Sequence, residues 1–180
     1  MHRPFFPHFI IVSGSGKKVG KTFMAAALIR SFSSSTPLVA LKISPHVHDS
    51  FGNTLLRAES GGFRIYQDLG THQKNSGKFL EAGALQSFFM ETADQHLGEA
   101  FSIFMAECNP ENHPVICESG ALGLRIKPGI SIFISRSSDE HPEHKSAAMR
   151  QADLVLRSTS FSTPEIIERI SFSQNGWHLA

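Results

Sequence analysis

The chain has 180 residues, which is enough for one domain with a substantial hydrophobic core. Its 17 Lys and Arg nearly balance its 16 Asp and Glu, so net charge predicts neither a nucleic-acid partner nor a membrane partner. No apolar run approaches the roughly 18 residues of a membrane-spanning helix, and the proline-broken N-terminus is not typical of a secretory signal. Of the two cysteines, Cys108 and Cys117, the second lies in an apolar run, where a buried thiol is expected rather than a disulfide. These features predict a soluble cytoplasmic protein.

A glycine-rich turn follows the first apolar run, residues 9–12, and precedes a helical pattern. The turn reads Gly14-Ser15-Gly16-Lys17-Lys18-Val19-Gly20-Lys21-Thr22. Backbone N–H groups in such turns bind phosphate oxygens, helped by the partial positive charge of the helix N-terminus. We expect all nine residues to bind the phosphates of GTP or ATP, with Lys21 at the outer phosphates and the Thr22 hydroxyl on Mg²⁺. Ser15 stands where the usual pattern has its first glycine, and a glycine-rich turn without a ligand is the alternative.

The segments after the turn predict one βαβ unit. An alanine-rich run predicts a helix over residues 22–32, and the apolar run 38–43 predicts a strand covered on both faces. A parallel sheet with a right-handed crossover follows from that order. From residue 44 to about 76 the pattern dissolves, apart from a strand-like run over 63–66. We interpret this segment as a partly ordered flap beside the nucleotide, and its composition equally allows a disordered insertion.

The remaining chain alternates further strands and helices. A short helix ending at Gly83 and an apolar-faced helix that begins with a capping box at Thr92 are expected on either side of a strand. The last helix is predicted to begin with Thr163 as its cap, to have Pro164 at its first position and to bury Ile170. The predicted strands cover residues 86–91, 114–117, 130–134, 154–156 and, as an edge strand, 176–179, with a polar loop over 135–146 and a short helix over 147–151. The pattern predicts a single α/β domain, doubly wound, with a mostly parallel sheet flanked by helices and ligands at the carboxyl ends of the strands.

Two charged residues end predicted buried strands. Glu118 follows the apolar run 114–117, where a carboxylate can hold a Mg²⁺-bound water or orient an attacking one; capping of the Ser119 and Gly120 amides is the alternative. Lys42 lies near the end of an apolar strand and must bring its ammonium to an anion or to solvent. We expect an anionic substrate or a phosphate at Lys42, with extension into solvent as the alternative.

Two histidine-containing stretches have a composition that metal sites share. His46, His48 and Asp49 follow Lys42 closely; Asp49 is a candidate second Mg²⁺ ligand, while zinc or a polar loop without ligand are the alternatives. The stretch over residues 140–144 is expected to be a solvated loop. The Asn-Lys-x-Asp motif with which GTP-binding switch proteins read guanine is missing after the strand over 130–134, so the choice between guanine and adenine stays open.

Lys42 and the His-x-His-Asp of residues 46–49 resemble the Lys-His-x-His-His-Asp stretch of the molybdopterin-guanine dinucleotide biosynthesis adapter proteins. The run Asn-Ser-Gly-Lys-Phe-Leu-Glu-Ala-Gly-Ala over 75–84 is similar to that family's Asp-Ser-x-x-x-x-x-x-Ala-Gly-Ala segment, and Glu118 falls where its Glu-Gly follows a buried strand. The resemblance spans residues 9–118. It implies GTP binding with weak hydrolysis, a helper role in attaching a nucleotide to molybdopterin, and a homodimer.

The turn itself is similar to that of dethiobiotin synthases and the related cobyrinate amidating enzymes. Their Gly-Thr-Asp-Thr-x-Val-Gly-Lys-Thr has the same length as residues 14–22, their Lys-Pro is similar to Lys42 and Ile43, and their Glu-Gly-Ala-Gly-Gly resembles residues 118–123. Gly16 replaces the Asp of their turn, and Ile43 replaces the Pro. This second resemblance implies an ATP-dependent ligase that activates a small carboxylate or carbamate as an acyl phosphate.

The first interpretation is a Mg²⁺-dependent nucleoside triphosphate-binding protein of the P-loop type, a slow NTPase that assists molybdopterin cofactor biosynthesis. Lys21, Lys42 and Glu118 would act by positioning and charge neutralisation, with Thr22, Glu118 and Asp49 serving the metal. A small anionic substrate or a cofactor-biosynthesis protein would be its partner. The alternatives are the ligase and a regulatory module that binds nucleotide without turnover.

Overall fold

The computed structural model describes residues 3–45, 54–70, 77–109, 111–136, 143–158 and 160–180. The strands in these ranges are β1 (Phe5–Gly14), β2 (Val39–Ser44), β3 (Thr54–Ser60), β4 (Phe63–Asp68), β5 (Gln86–Thr92), β6 (Val115–Glu118), β7 (Lys127–Ser135), β8 (Leu154–Arg157), β9 (Ile170–Ser173) and β10 (Gly176–Leu179). The α-helices are α1 (Lys21–Phe32), α2 (Gly77–Glu81), α3 (Leu97–Ile103), α4 (Glu143–Arg150) and α5 (Thr163–Glu168). None of the helices in the described ranges is long and apolar enough to cross a membrane.

Eight strands form one mixed, mostly parallel sheet in the order β3-β4-β5-β2-β6-β1-β7-β8. Across the sheet from β5 to β8, that is β5-β2-β6-β1-β7-β8, every pair of neighbouring strands is parallel. At the other edge, β4 is antiparallel to β5 and β3 is antiparallel to β4. Strand β6 lies between β1 and β2, so the crossover through α1 skips one position in the sheet. The α/β class and the mostly parallel sheet agree with the prediction from sequence.

Alternate residues of the central strands supply two hydrophobic clusters, one on each face of the sheet. On the first face, Ile10, Ile116 and Ile132 pack with α1, α2 and α5. On the second face, Phe9, Leu41 and Cys117 pack with α3 and the π-helical turn that follows it, Phe104–Cys108. Helices therefore flank both faces, which is the arrangement that the uninterrupted apolar runs predict.

Residues 54–68 form a β-hairpin where we expected a flap or a disordered insertion. Strands β3 and β4 extend the sheet by antiparallel pairing on β5, with Phe63 and Ile65 in the core of the second face. Three strands separate β4 from β1, so the hairpin lies away from the glycine-rich turn rather than beside it. Of the two strands of this hairpin, the sequence pattern predicts only the one over 63–66, because β3 is mostly exposed and has no alternation of apolar residues.

The capping box predicted at Thr92 is wrong. Thr92 is the last residue of β5, and its hydroxyl donates to the carbonyl of Ala93 at 3.0 Å instead of capping a helix. A 3₁₀ turn, Asp94–His96, precedes α3. Ala93 is at the N-cap position of this turn and makes no side-chain capping hydrogen bond. The apolar face predicted for this helix comprises Ala93, Leu97, Ala100, Phe101, Phe104 and Met105. Leu97, Ala100, Phe101 and Phe104 are buried as predicted, whereas Met105 is partly buried and Ala93 is exposed.

The C-terminal elements differ from the prediction in three places. Helix α4 begins earlier than the predicted helix over 147–151, at Glu143. Thr163 is the first residue of α5 rather than its cap, and Ile170 is buried from β9 rather than from that helix. Strand β10 pairs with β9 in a separate two-stranded sheet, not at the edge of the main sheet. The indole N–H of Trp177 anchors this small sheet by donating to the His8 carbonyl at 3.0 Å.

Candidate nucleotide site

The glycine-rich turn leaves β1 at Gly14 and enters α1 at Lys21. Lys18 and Gly20 have left-handed backbones, with φ of 59° and 106°. The Ser15 N–H donates to the Ile134 carbonyl at 2.9 Å, which ties the start of the turn to β7. Within the described part of the chain, the backbone N–H groups of residues 16–22 have no hydrogen-bond acceptor. The turn thus presents a row of unpaired amides at a helix N-terminus, the arrangement that binds anions.

Lys21 folds back over the turn. Its ammonium donates to the Gly16 carbonyl at 2.5 Å, and its side chain is half-buried. Burial lowers the pKa of Lys21, Glu118 raises it, and the nearby cations Lys42, Lys145 and Arg136 lower it further. A desolvated ammonium among other cations gains strongly from an added anion, so this group favours phosphate.

Two cations that were not predicted from the sequence, Lys145 and Arg136, also contact the turn. The ammonium of Lys145 on α4 donates to the Ser15 carbonyl at 2.6 Å. The guanidinium of Arg136, at the end of β7, donates to the Lys17 carbonyl at 2.8 Å, and its backbone N–H donates to the Ser15 hydroxyl at 3.1 Å. Arg136 lies two residues after the predicted strand over 130–134, at the edge where ligands are expected, which is a signal that could have been used. Lys145 is 130 positions from Ser15, and no local pattern indicates that contact.

Glu118 joins α1 to β2. Its Oε2 accepts from the Thr22 hydroxyl at 2.7 Å and from the Lys42 ammonium at 3.1 Å. The strand register explains why the Glu118 and Lys42 side chains are in contact. Glu118 pairs with Val12 on β1 and with Lys42 on β2, so both charged side chains lie on the face of the sheet that α1 covers. Lys42 therefore has a carboxylate as its partner, rather than solvent.

The alternative in which Glu118 caps the following amides does not occur. The Ser119 N–H donates to the Val12 carbonyl at 3.1 Å, and the Ser119 hydroxyl accepts from the N–H groups of Ala121 at 3.3 Å and Leu122 at 3.1 Å. Glu118 is left with its two partners on α1 and β2, at 6% exposure. The carboxylate is consequently held at the end of the turn, where a metal-bound phosphate would need it.

The residues at this point fit Mg²⁺. The Thr22 hydroxyl donates its proton to Glu118, so its oxygen lone pairs stay free to ligate a cation. Magnesium takes few protein ligands and keeps waters and substrate phosphates in its other positions, so one hydroxyl and one carboxylate are sufficient. The described residues contain no group of three or more His, Cys, Asp or Glu side chains, which zinc or a metal cluster would require.

The remaining predicted metal residues are separated from the site or lie outside the described residues. Asp49, His46 and His48 are outside them, as are residues 140–142. His144 belongs to α4 and lines a cavity described below, so the stretch over 140–144 is not wholly the loop that the sequence predicts. The burial of both Cys108 and Cys117 as free thiols is observed, and burial raises the pKa of each.

The glycines of the turn differ in whether a side chain could be accommodated in their place. A Cβ on Gly14 would lie 2.6 Å from the Ile134 carbonyl oxygen and 2.9 Å from Val19 Cγ2, whereas a Cβ on Gly16 would meet nothing within 4 Å. Gly14→Ala is therefore expected to destabilise the fold by about 1–3 kcal/mol, and Gly16→Ala to change it by less than about 0.5 kcal/mol. Urea unfolding of both variants measures the difference; equal midpoints would contradict this account of the turn.

A cavity of about 430 Å³ lies beside the turn, at the carboxyl ends of the strands. Its walls come from β1, β2, β5 and β7, from the segment after β6, and from α3 and α4. Gly14 and Lys145 line the part of this cavity next to the turn, while residues 16–22 are not among its lining residues.

No match to the chain was found among protein-family models, curated proteins or solved structures.

Proposed function

We propose that this chain is a Mg²⁺-dependent nucleoside triphosphate-binding protein of the P-loop type with slow hydrolysis. The observation that carries the proposal is the row of unpaired amides over residues 16–22, folded around Lys21 and ending at the Thr22–Glu118 hydrogen bond. That combination supplies amide donors, an ammonium, a metal-ligating hydroxyl and an acid, which are the parts that phosphoryl chemistry uses.

Charge complementarity supports a polyphosphate rather than a single small anion. Lys21 lies close enough to Lys42, Lys145 and Arg136 to interact electrostatically with them, and Glu118 is the one carboxylate among the described residues that acts on it. Several negative charges balance such a cluster better than one does. Bound Mg²⁺ would supply further charge neutralisation at the phosphate oxygens. The residues of the chain would orient the phosphates and hold Glu118 at the metal, and no covalent intermediate is needed.

The ATP-dependent ligase is a second candidate, favoured by the 430 Å³ cavity that opens beside the turn and could hold an acceptor. Assistance to molybdopterin cofactor biosynthesis, the choice of GTP or ATP and the homodimer rest on family resemblance and stay predictions. A regulatory module that binds nucleotide without turnover is the remaining alternative.

Binding and turnover by the full chain test the proposal. Fluorescent GTP and ATP analogues should bind in Mg²⁺ and more weakly in EDTA, and Mg²⁺ should support slow phosphate release. Binding without any phosphate release would favour the regulatory module, and release that depends on a small carboxylate would favour the ligase. Failure of both nucleotides to bind would overturn the proposal.

A further inference from the structure

Three successive carbonyl groups of the turn each accept a hydrogen bond from a cationic side chain. The pairs are Lys145 with Ser15 at 2.6 Å, Lys21 with Gly16 at 2.5 Å and Arg136 with Lys17 at 2.8 Å. Lys21 belongs to the turn itself, whereas Lys145 reaches it from α4 and Arg136 from the residue after β7. Two of the three carbonyl groups are therefore held from outside the turn.

A bond to a carbonyl group also fixes the direction of the next amide. A trans peptide group is planar, and its C=O and N–H point in opposite directions. Lys145 therefore orients the N–H of Gly16 through the Ser15 carbonyl, and Arg136 orients the N–H of Lys18 through the Lys17 carbonyl. Both N–H groups belong to the row of unpaired amides over residues 16–22.

Ser15 is anchored through its backbone and its side chain. Its N–H donates to the Ile134 carbonyl at 2.9 Å, its hydroxyl accepts from the backbone N–H of Arg136 at 3.1 Å, and its carbonyl accepts from Lys145 at 2.6 Å. A glycine, which the usual pattern has at this position, would lack the hydroxyl contact. The serine thus ties the start of the turn to the end of β7 and to α4.

The rest of the turn has little else to restrain it. Glycine has more backbone freedom than any other residue type, and three glycines lie at 14, 16 and 20. A Cβ on Gly16 would meet nothing within 4 Å, so packing does not hold this part of the turn. Hydrogen bonds that order such a segment before a ligand arrives reduce the entropy cost of binding.

We propose that Lys145 and Arg136 are positioning residues of the nucleotide site. They hold the turn in its phosphate-binding conformation, and of the three cations only Lys21 transfers its hydrogen bond from the turn to a phosphate. This division of roles rests on the proposed nucleotide binding. It requires the hydrogen bonds of Lys145 and Arg136 to the turn, and not their charge alone.

Lys145→Met and Arg136→Met in the full chain test these roles. Each should weaken the binding of fluorescent GTP and ATP analogues in Mg²⁺ about tenfold. Tripolyphosphate, measured by competition, should lose affinity by the same factor because it uses the same amides. The kcat of phosphate release should stay within about twofold, since the turn is held equally before and during the reaction. A fall in kcat with unchanged affinity would overturn the proposal, because the cations would then act on the reacting phosphate.

Salt separates a hydrogen-bonded contact from a charge that acts at a distance. At about 1 M NaCl the Debye length is about 3 Å, so the effect of a distant charge is screened. The roughly tenfold ratio of affinities between the wild type and Lys145→Met should persist there. A ratio that disappears at high salt would overturn the positioning role and leave only long-range charge.

Two further variants of α4 complete the comparison. Lys145→Arg keeps a cationic donor and should restore affinity to within about threefold of the wild type. Affinity as low as that of Lys145→Met would contradict a role in hydrogen bonding. Arg150→Met removes a positive charge from an exposed position of the same helix and should bind nucleotide as the wild type does.

The fate of the wild type distinguishes this inference from the proposed function. Nucleotide binding by the wild type, with equal affinity in folded Lys145→Met and Arg136→Met, would overturn the positioning role and leave the nucleotide site standing. Failure of the wild type to bind any nucleotide would overturn the proposed function, and the positioning role with it. Circular dichroism checks the fold of each variant. If Lys145→Met unfolds, Arg136→Met, at an exposed position, decides by the same criteria.

Discussion

Lys21→Ala is expected to lower the affinity for nucleoside triphosphate by about a hundredfold or more. The Lys21 ammonium is half-buried over the turn, and the loss of its solvation is what lowers its pKa. A phosphate would therefore replace a single carbonyl partner with a stronger, charge-assisted contact, and the alanine variant would lose all of that gain. Titration of fluorescent GTP and ATP analogues measures the change.

Lys78→Ala is the matched control, because it removes the same charge from an exposed position of the short helix α2. Its nucleotide affinity should equal that of the wild type. Circular dichroism of both variants separates a lost contact from a lost fold. If folded Lys21→Ala binds nucleotide as tightly as the wild type, the turn is not a phosphate-binding loop.

Glu118→Gln is expected to reduce Mg²⁺-dependent phosphate release about ten- to a hundredfold. The amide oxygen can still accept from the Thr22 hydroxyl, but the charge that balances Lys42 and would attract the proposed metal is removed. Nucleotide binding by Glu118→Gln in EDTA should fall little, since the substitution removes a negative charge from an anion-binding site. A phosphate-release assay across Mg²⁺ concentrations measures both effects.

Glu81→Gln makes the same chemical change on an exposed residue of α2 and should leave turnover unchanged. Lys42→Met provides a second comparison, because it releases Glu118 from its ion pair without removing the acid. Turnover by Glu118→Gln at the wild-type rate and with the wild-type Mg²⁺ dependence would show that the carboxylate serves only the Thr22 and Lys42 contacts.

The sequence predicted those parts of the fold that depend on neighbouring residues. The β1–turn–α1 segment and the buried strand before Glu118 follow from apolar runs and glycine positions, and their bounds were found within a few residues. The pairing of Glu118 with Lys42 could not be predicted, because it depends on β6 lying between β1 and β2. Strand order is decided by long-range packing, on which periodicity carries no information.

The two cations at the turn and the first strand of the hairpin were not predicted, for two different reasons. Arg136 and Lys145 reach the turn across 119 and 130 positions of the chain, so no spacing rule joins them to it, and only the place of Arg136 just after a predicted strand pointed to the site. Strand β3 is exposed along most of its length, and Leu55 and Leu56 are adjacent rather than alternating. A strand at a sheet edge with that composition has the profile of a loop.

The position of β6 also bears on the order in which the protein can fold. After β1, α1 and β2 have been synthesised, the two strands are not native neighbours, because residues 115–118 lie between them in the folded sheet. The edges of β1 and β2 that face β6 lack their native partner until that segment arrives, which exposes them to wrong pairing. The Thr22 and Lys42 contacts to Glu118 close loops of 96 and 76 positions at the same step. The Glu118 contacts at the turn therefore form together with the link that β6 makes between β1 and β2, and a nascent chain shorter than about 118 residues would lack both.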